Sequence, residues 1–204
     1  MKKLYLGSGS RTNEKQSQGF VCVDFDARYK PDVLWDMEIF PWPFEDDSVE
    51  YIEAHHVIEH QSDVDAFMCE LWRISKDGAK ISLKYPHFSR VLASGFGMND
   101  KHKSAVPMRL LDRYSRKFTY DRIRFSWMRF DIPPHPDSKY KGKWFTKLAN
   151  KIINAFLNLN VTFSDRIFAY WFGGVDDIEV LSTVHKKGIK WEQPLQRKFS
   201  PPKD

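Results

Sequence analysis

Over the first 90 residues the apolar positions come in short runs, most of them ended by glycine, proline or an acid; the remainder of the chain is longer-patterned and more mixed. Leu4-Tyr5-Leu6 stops abruptly at Gly7-Ser8-Gly9-Ser10, which predicts a buried strand running into a tight turn. Ser10–Gln18 is almost wholly polar and has no apolar stripe to bury, so a loop, at most one helical turn, is expected there. Gly19–Asp24 and Asp32–Asp36 are short apolar runs that each end in an acid and read as the second and third strands. Pro41-Trp42-Pro43-Phe44 excludes helix and central strand. Val49–Ala54 is a fourth strand. Val64–Ser75 sets Phe67, Met68, Leu71, Trp72 and Ile74 at helical spacing, and Asp77-Gly78 separates it from a fifth strand, Ala79–Tyr85, closed by Pro86.

Beyond residue 100 the pattern predicts a helix over Pro107–Tyr114 and a strand over Arg122–Asp131, where Ile123, Phe125 and Trp127 alternate with Arg and Ser. Trp144–Asn160 places Leu148, Ile152, Phe156 and Leu159 on one helical face, and Asp176–His185 is the last strand. This is α/β grammar: an open, mostly parallel sheet in one domain over 1–190, with a helical insertion at about 132–175 and a loose, proline-bearing tail at 191–204.

Composition changes that picture little. A chain of 204 residues with 42% apolar content is long enough for one sizeable core. Met1-Lys2-Lys3 precedes only three apolar residues before glycine, so no secretory leader is expected. Trp144–Phe172 is interrupted by Lys147, Lys151, Asp165 and Arg166 and does not read as a membrane span. Cys22 and Cys69 lack metal-like spacing and read as buried thiols, which with the rest points to a cytoplasmic protein.

Charge is more informative. Residues 1–100 hold 11 Lys+Arg against 17 Asp+Glu, net −6, and residues 101–204 hold 21 against 10, net +11. A basic second half suits an anionic partner, whether nucleic acid, an acidic sugar or a lipid headgroup; a solvated basic face has the same composition.

Candidate chemistry collects at the strand ends. In an open α/β sheet the ligand lies beyond the carboxyl ends of the strands. The Gly7-x-Gly9 turn would let a ligand approach the backbone, and Asp24, closing the second strand, is placed to grip ribose hydroxyls or to be an ordinary solvated strand end. Asp36, followed by Met37, closes the third strand. His87 starts just past the fifth strand, and Asp100-x-His102 pairs a carboxylate with an imidazole, as a base would require. Loop histidines in water would look the same.

Leu4-Tyr5-Leu6-Gly7-Ser8-Gly9, Val23-Asp24, Asp36-Met37-Glu38, the Phe40–Glu50 segment and His56-Val57-Ile58-Glu59-His60 together resemble the class I, Rossmann-like S-adenosylmethionine-dependent methyltransferases, with the small "type 11" branch the best match over residues 3–90. The resemblance implies a parallel sheet with an antiparallel last strand, S-adenosylmethionine as cofactor and methyl transfer. It implies that Gly7, Ser8 and Gly9 wrap the amino-acid end of the cofactor, that Asp24 holds the ribose, that Asp36 and Met37 flank the adenine, and that His55 and His56 line the methionine and substrate side. His87 or His102 would take a proton from an oxygen acceptor, with Tyr85 or Phe88 near the sulfonium. The Asp100–His102 pair resembles a similarly placed element of this branch. The polar segment after Gly9 departs from the usual helix and would leave one wall open.

The acceptor expected is a small molecule, a sugar or a lipid-linked glycan; a nucleic acid is the variant suggested by charge, and the aromatic, lysine-bearing insertion allows peripheral contact with a membrane. Two rivals come from other classes. One is a fold relative that binds a partner without catalysis. The other is a zinc hydrolase, because His56-x-x-Glu59-His60 fits the H-x-x-E-H pattern of inverted zinc peptidases; no third ligand stands out downstream, and no metal is expected on the methyltransferase reading.

Overall fold

The computed structural model describes residues 2–89, 102–104, 106–127, 144–169 and 175–189. Among the described residues, seven strands form one sheet in the order β3-β2-β1-β4-β5-β7-β6. They are β1 (Lys3–Leu6), β2 (Val21–Asp24), β3 (Val33–Leu34), β4 (Val49–His55), β5 (Ser75–Pro86), β6 (Phe118–Ser126) and β7 (Asp177–Val184). The pairs β1–β2, β1–β4, β2–β3 and β4–β5 are parallel, and β7 runs antiparallel to both its neighbours. The Rossmann-like sheet with a reversed last strand is thus the one found.

Register puts Leu4 beside Ile52 and Ile52 beside Ile81, Leu6 beside Ala54 and Ala54 beside Leu83. That row makes one apolar face, and the core gathers on it with α2 (Val64–Ile74), whose Phe67, Met68, Leu71 and Ile74 are buried. Asp63 caps α2 by accepting from Ala66 N at 2.8 Å. The Pro-Trp-Pro segment lies against the same helix: Trp42 donates its backbone N–H to Glu70 Oε2 (2.7 Å) and stacks edge-on to Phe67, and Arg73 ties Glu70 to Asp46.

The opposite face of β1, β2 and β4 carries Tyr5, Cys22 and Tyr51, with Phe20. Here the expectation of a loop after Gly9 is corrected. Gly9–Arg11 is a 3-10 turn and Thr12–Ser17 is a helix, α1. It is held by buried polar groups in place of an apolar stripe: Thr12 Oγ1 bonds Ser8 Oγ (2.7 Å), and the buried Lys15 reaches Glu53 Oε2 (2.6 Å) across the rings of Tyr5 and Phe20, 4.7 and 5.0 Å from its ammonium. Strand β5 begins directly at Ser75, earlier than expected, because Asp77-Gly78 forms an irregularity within the strand, Gly78 taking φ +81°.

In the second half, α3 spans Arg109–Asp112, α4 spans Trp144–Leu157, and a short α5 (Val161–Phe163) leads into a π-helical turn, Ser164–Phe168. β6 starts at Phe118, ahead of the alternation that marks it in the sequence. Its outer edge is covered by α4: Asn158 both donates to Phe125 O (2.9 Å) and accepts from Phe125 N (2.9 Å), and Asn154 accepts from Trp127 N (2.7 Å). Two asparagines thereby stand in for a neighbouring strand. The tail at 191–204 and much of the expected insertion lie outside the described residues. Among the described residues no helix is long and apolar enough to cross a membrane. Cys22 is buried, Cys69 only half-buried, and burial pushes both thiols up to about 11.

Candidate functional site

The strand ends of β1, β2, β4 and β5 come together as the open-sheet rule requires. At β1, Gly7 takes φ +64° and donates to Val23 O (2.8 Å), and a Cβ on it would stand 2.5 Å from Val57 Cγ2. Only glycine fits this turn. Asp24 is buried, and its carboxylate joins the two loops: Oδ2 accepts from Gly9 N (2.7 Å) and Oδ1 from Asp26 N (2.9 Å). Each oxygen keeps a second lone pair. Phe25, the next residue, is 73% exposed.

The pair Asp36–Met37 divides. Asp36 is exposed and accepts from Glu38 N (3.0 Å), whereas Met37 turns its side chain into the core and offers its carbonyl to Trp42 Nε1 (3.0 Å). His55 and His56 divide too. His55 packs edge-on to Tyr5, 5.7 Å between ring centres, and burial pushes its pKa down to about 4 against the opposing pull of Glu53. His56 takes φ +57°, donates its backbone N–H to Lys84 O (2.7 Å), and sets Nδ1 3.1 Å from Glu59 Oε1 and Nε2 3.9 Å from Asp177 Oδ2. A single 3-10 turn, Ile58–His60, follows. His56 and His60 therefore do not share a helix face, and the inverted-peptidase geometry is not formed.

His87 is fully buried. Ser89 N donates to its Nδ1 (3.1 Å), which leaves the proton on Nε2, 3.2 Å from Asp165 Oδ1 in the Ser164–Phe168 turn. The residue stands past β5 as expected, but with both nitrogens engaged it has no open site for a proton from an acceptor. His102 is half-buried beside His60, ring centres 4.8 Å apart; Asp100 lies outside the described residues. Tyr85 is fully buried at the end of β5, its pKa raised by burial first and by Tyr120, Asp165 and Glu59 after it. Phe88 lies on the His87 ring at 4.3 Å.

Three residues here were not singled out in the sequence. Phe25 is an apolar residue next to an acid, with no pattern to mark its exposure. Asp165 is a lone acid in an apolar stretch, a signal that exists but reads equally as a break in a span. Asp177 opens β7, fully buried, 3.5 Å from Lys84 Nζ.

A glycine turn no side chain can enter, an acid closing β2 and a reversed last strand thus occur together in one sheet. Residues 10–83 match the family model described as a methyltransferase domain. Among solved structures the chain is similar to a SAM-dependent methyltransferase from Archaeoglobus fulgidus (16% identity, 89% of this chain and 85% of that one, TM-score 0.55). It is also similar to Haemonchus contortus phosphoethanolamine N-methyltransferase 2 in complex with S-adenosyl-L-methionine (16%, 91% of this chain and 50% of that one, TM-score 0.59). A third likeness is to a chain in the complex of the Haloferax volcanii Trm112 methyltransferase activator with a methyltransferase (16%, 91% and 83%, TM-score 0.55). No curated protein matches the chain. Residues 10–83 thus match a methyltransferase domain, and the sheet around them has the fold of the S-adenosylmethionine-dependent methyltransferases among those structures.

Proposed function

We propose that the chain moves a methyl group from S-adenosylmethionine to a hydroxyl of a polar acceptor, a sugar or a lipid-linked glycan. The cofactor supplies a methyl that is already electrophilic, so the chain's task is placement and exclusion of water. Gly7, Ser8 and Gly9 hold the amino-acid end, Asp24 uses its second lone pairs for the ribose, Phe25 offers a ring to the adenine, and the backbone at Asp36–Met37 borders it. His56 faces the acceptor, its Nδ1 engaged by Glu59 and its Nε2 placed to take the proton the hydroxyl loses as the O–CH3 bond forms and the S–CH3 bond breaks, and His87 fixes the wall between β5 and the Ser164–Phe168 turn.

The observation behind this acceptor class is a pair of buried polar atoms. Tyr85 Oη and His56 Nε2 have no hydrogen-bond partner among the described residues. Buried polar groups left unanswered are costly, and a hydroxyl-bearing ligand at the strand ends would answer both. A lipid-linked form is favoured by α4 and the turn after it, where Leu148, Ile152, Phe156 and Leu159 are exposed in the same segment as the exposed Lys147 and Lys151. Such a face with such charge suits an anionic membrane surface.

Calorimetric titration with S-adenosylmethionine and S-adenosylhomocysteine tests the cofactor half. Saturable binding that Asp24→Ala abolishes is expected, and no binding by the native chain would overturn it. Transfer of labelled methyl to a panel of glycans, lipid-linked glycans and RNA tests the acceptor. Methylated RNA with a steep salt dependence of binding would replace the glycan reading.

A further inference from the structure

We propose that Glu59, His60 and His102 bind a divalent transition-metal ion of the zinc class, beside the methyl-transfer site. One ligand atom of each lies within 4.8 Å of the others. Two imidazoles and one carboxylate are a zinc donor set with a position left for water or a ligand oxygen. Tetrahedral zinc places its ligand atoms about 3.3 Å apart, so modest side-chain rotation closes the set.

The carboxylate is the second observation. Glu59 is 1% exposed. Its Oε1 is held by His56 Nδ1 at 3.1 Å, and its Oε2 has no hydrogen-bond partner among the described residues. An anionic oxygen taken out of water is expensive unless a cation answers it. The His56 contact is also the outer-shell bond that orients a ligating carboxylate.

The third ligand is built in. Lys103 N and Ser104 N both donate to Glu59 O (2.8 and 3.0 Å), Ser104 Oγ donates to Gln61 O (2.8 Å), and Lys103 Nζ pairs with Glu38. His102, 42 residues after His60 in sequence, is thus fixed against the Ile58–His60 turn by backbone bonds. The motif that suggested zinc in the sequence used His56 as first ligand. The fold replaces it with His102 and moves His56 to the outer shell.

The test uses the full chain, stripped with chelator and dialysed, without S-adenosylmethionine. Titration with zinc chloride by calorimetry and with cobalt chloride by visible absorption should show one saturable site, micromolar or tighter, with the intense bands of four-coordinate cobalt. His60→Ala and His102→Ala should each weaken it by about tenfold or more, and His185→Ala, at the far end of β7, should leave it unchanged. Circular dichroism reports folding, with His102→Gln as the second variant should His102→Ala fail. The proposal is overturned if the native chain shows no saturable zinc or cobalt, or if affinity survives loss of both histidines. Cofactor titration run separately keeps failure of the metal site distinct from failure of the methyltransferase reading.

Discussion

At Gly7 the requirement is both conformational and steric: φ is +64°, and the space for a Cβ is taken by Val57, itself buried in the core. Gly7→Ala should cost about 1–3 kcal/mol in urea unfolding, since a left-handed alanine is strained and Val57 cannot retreat freely. It should also weaken S-adenosylmethionine binding in calorimetry. An unchanged affinity would show that this turn does not carry the cofactor. His55 supplies a pH prediction. Burial lowers its folded pKa from the ordinary 6.5 to about 4. The unfolded chain therefore binds the proton first as pH falls. Stability is full above 6.5, declines between 6.5 and 4, and stays reduced below. At pH 5 the loss assignable to this ring is about 1–2 kcal/mol after allowance for solvent screening. Denaturant unfolding of native chain and His55→Phe at pH 7.5 and pH 5 should show a smaller loss on acidification in the variant, and parallel losses would refute the assignment.

Elements explain what could be read from the sequence and what could not. Leu4–Leu6 and Val21–Asp24 were legible because each is a short buried run that ends in glycine or an acid, and Val49–His55 because Val49, Ile52 and Ala54 are buried within a short stretch free of glycine and proline. The glycine turn and the position of Asp24 were legible for the same reason. Helix α1 was not, because its buried contacts are made by Thr12 and Lys15, and a lysine under two aromatic rings counts as polar in any apolar pattern. Nor was the Glu59–His60–His102 cluster, whose third member is brought in by backbone bonds that leave no trace in residue type. Lys15→Met should destabilise the chain by about 1–3 kcal/mol, because Glu53 then keeps a half-buried charge without its cation. Adding Glu53→Gln should recover most of that. Thermal or urea unfolding of the two variants decides it: additive losses in the double variant would mean that the pair does not hold α1 to the sheet.

Across the whole molecule, α4 presents an inversion of the usual helix arrangement. Asn154 and Asn158 bind the edge of β6 and Leu157 is buried, while Leu148, Ile152, Phe156 and Leu159 stand outward. Phe163 and Ile167, further along the chain, are exposed as well. Lysines 147 and 151 and Arg166 are exposed within the same segment, in the half of the chain that carries net +11. An apolar face alone would suit a protein partner equally well. Cationic side chains along it favour an anionic bilayer, since each contributes about 1 kcal/mol near such a surface and the aliphatic groups add burial into the acyl boundary. The native chain should therefore cosediment with phosphatidylserine-containing vesicles at low salt and less so with neutral ones. Raising salt should weaken the charge contribution within the range set by a screening length of about 10 Å at 0.1 M. Leu148→Glu with Ile152→Glu should abolish cosedimentation while leaving S-adenosylmethionine binding intact, because both side chains stand outward on α4. Native chain that stays in the supernatant at low salt would remove the membrane surface, and with it the reason to prefer a lipid-linked acceptor over a free sugar.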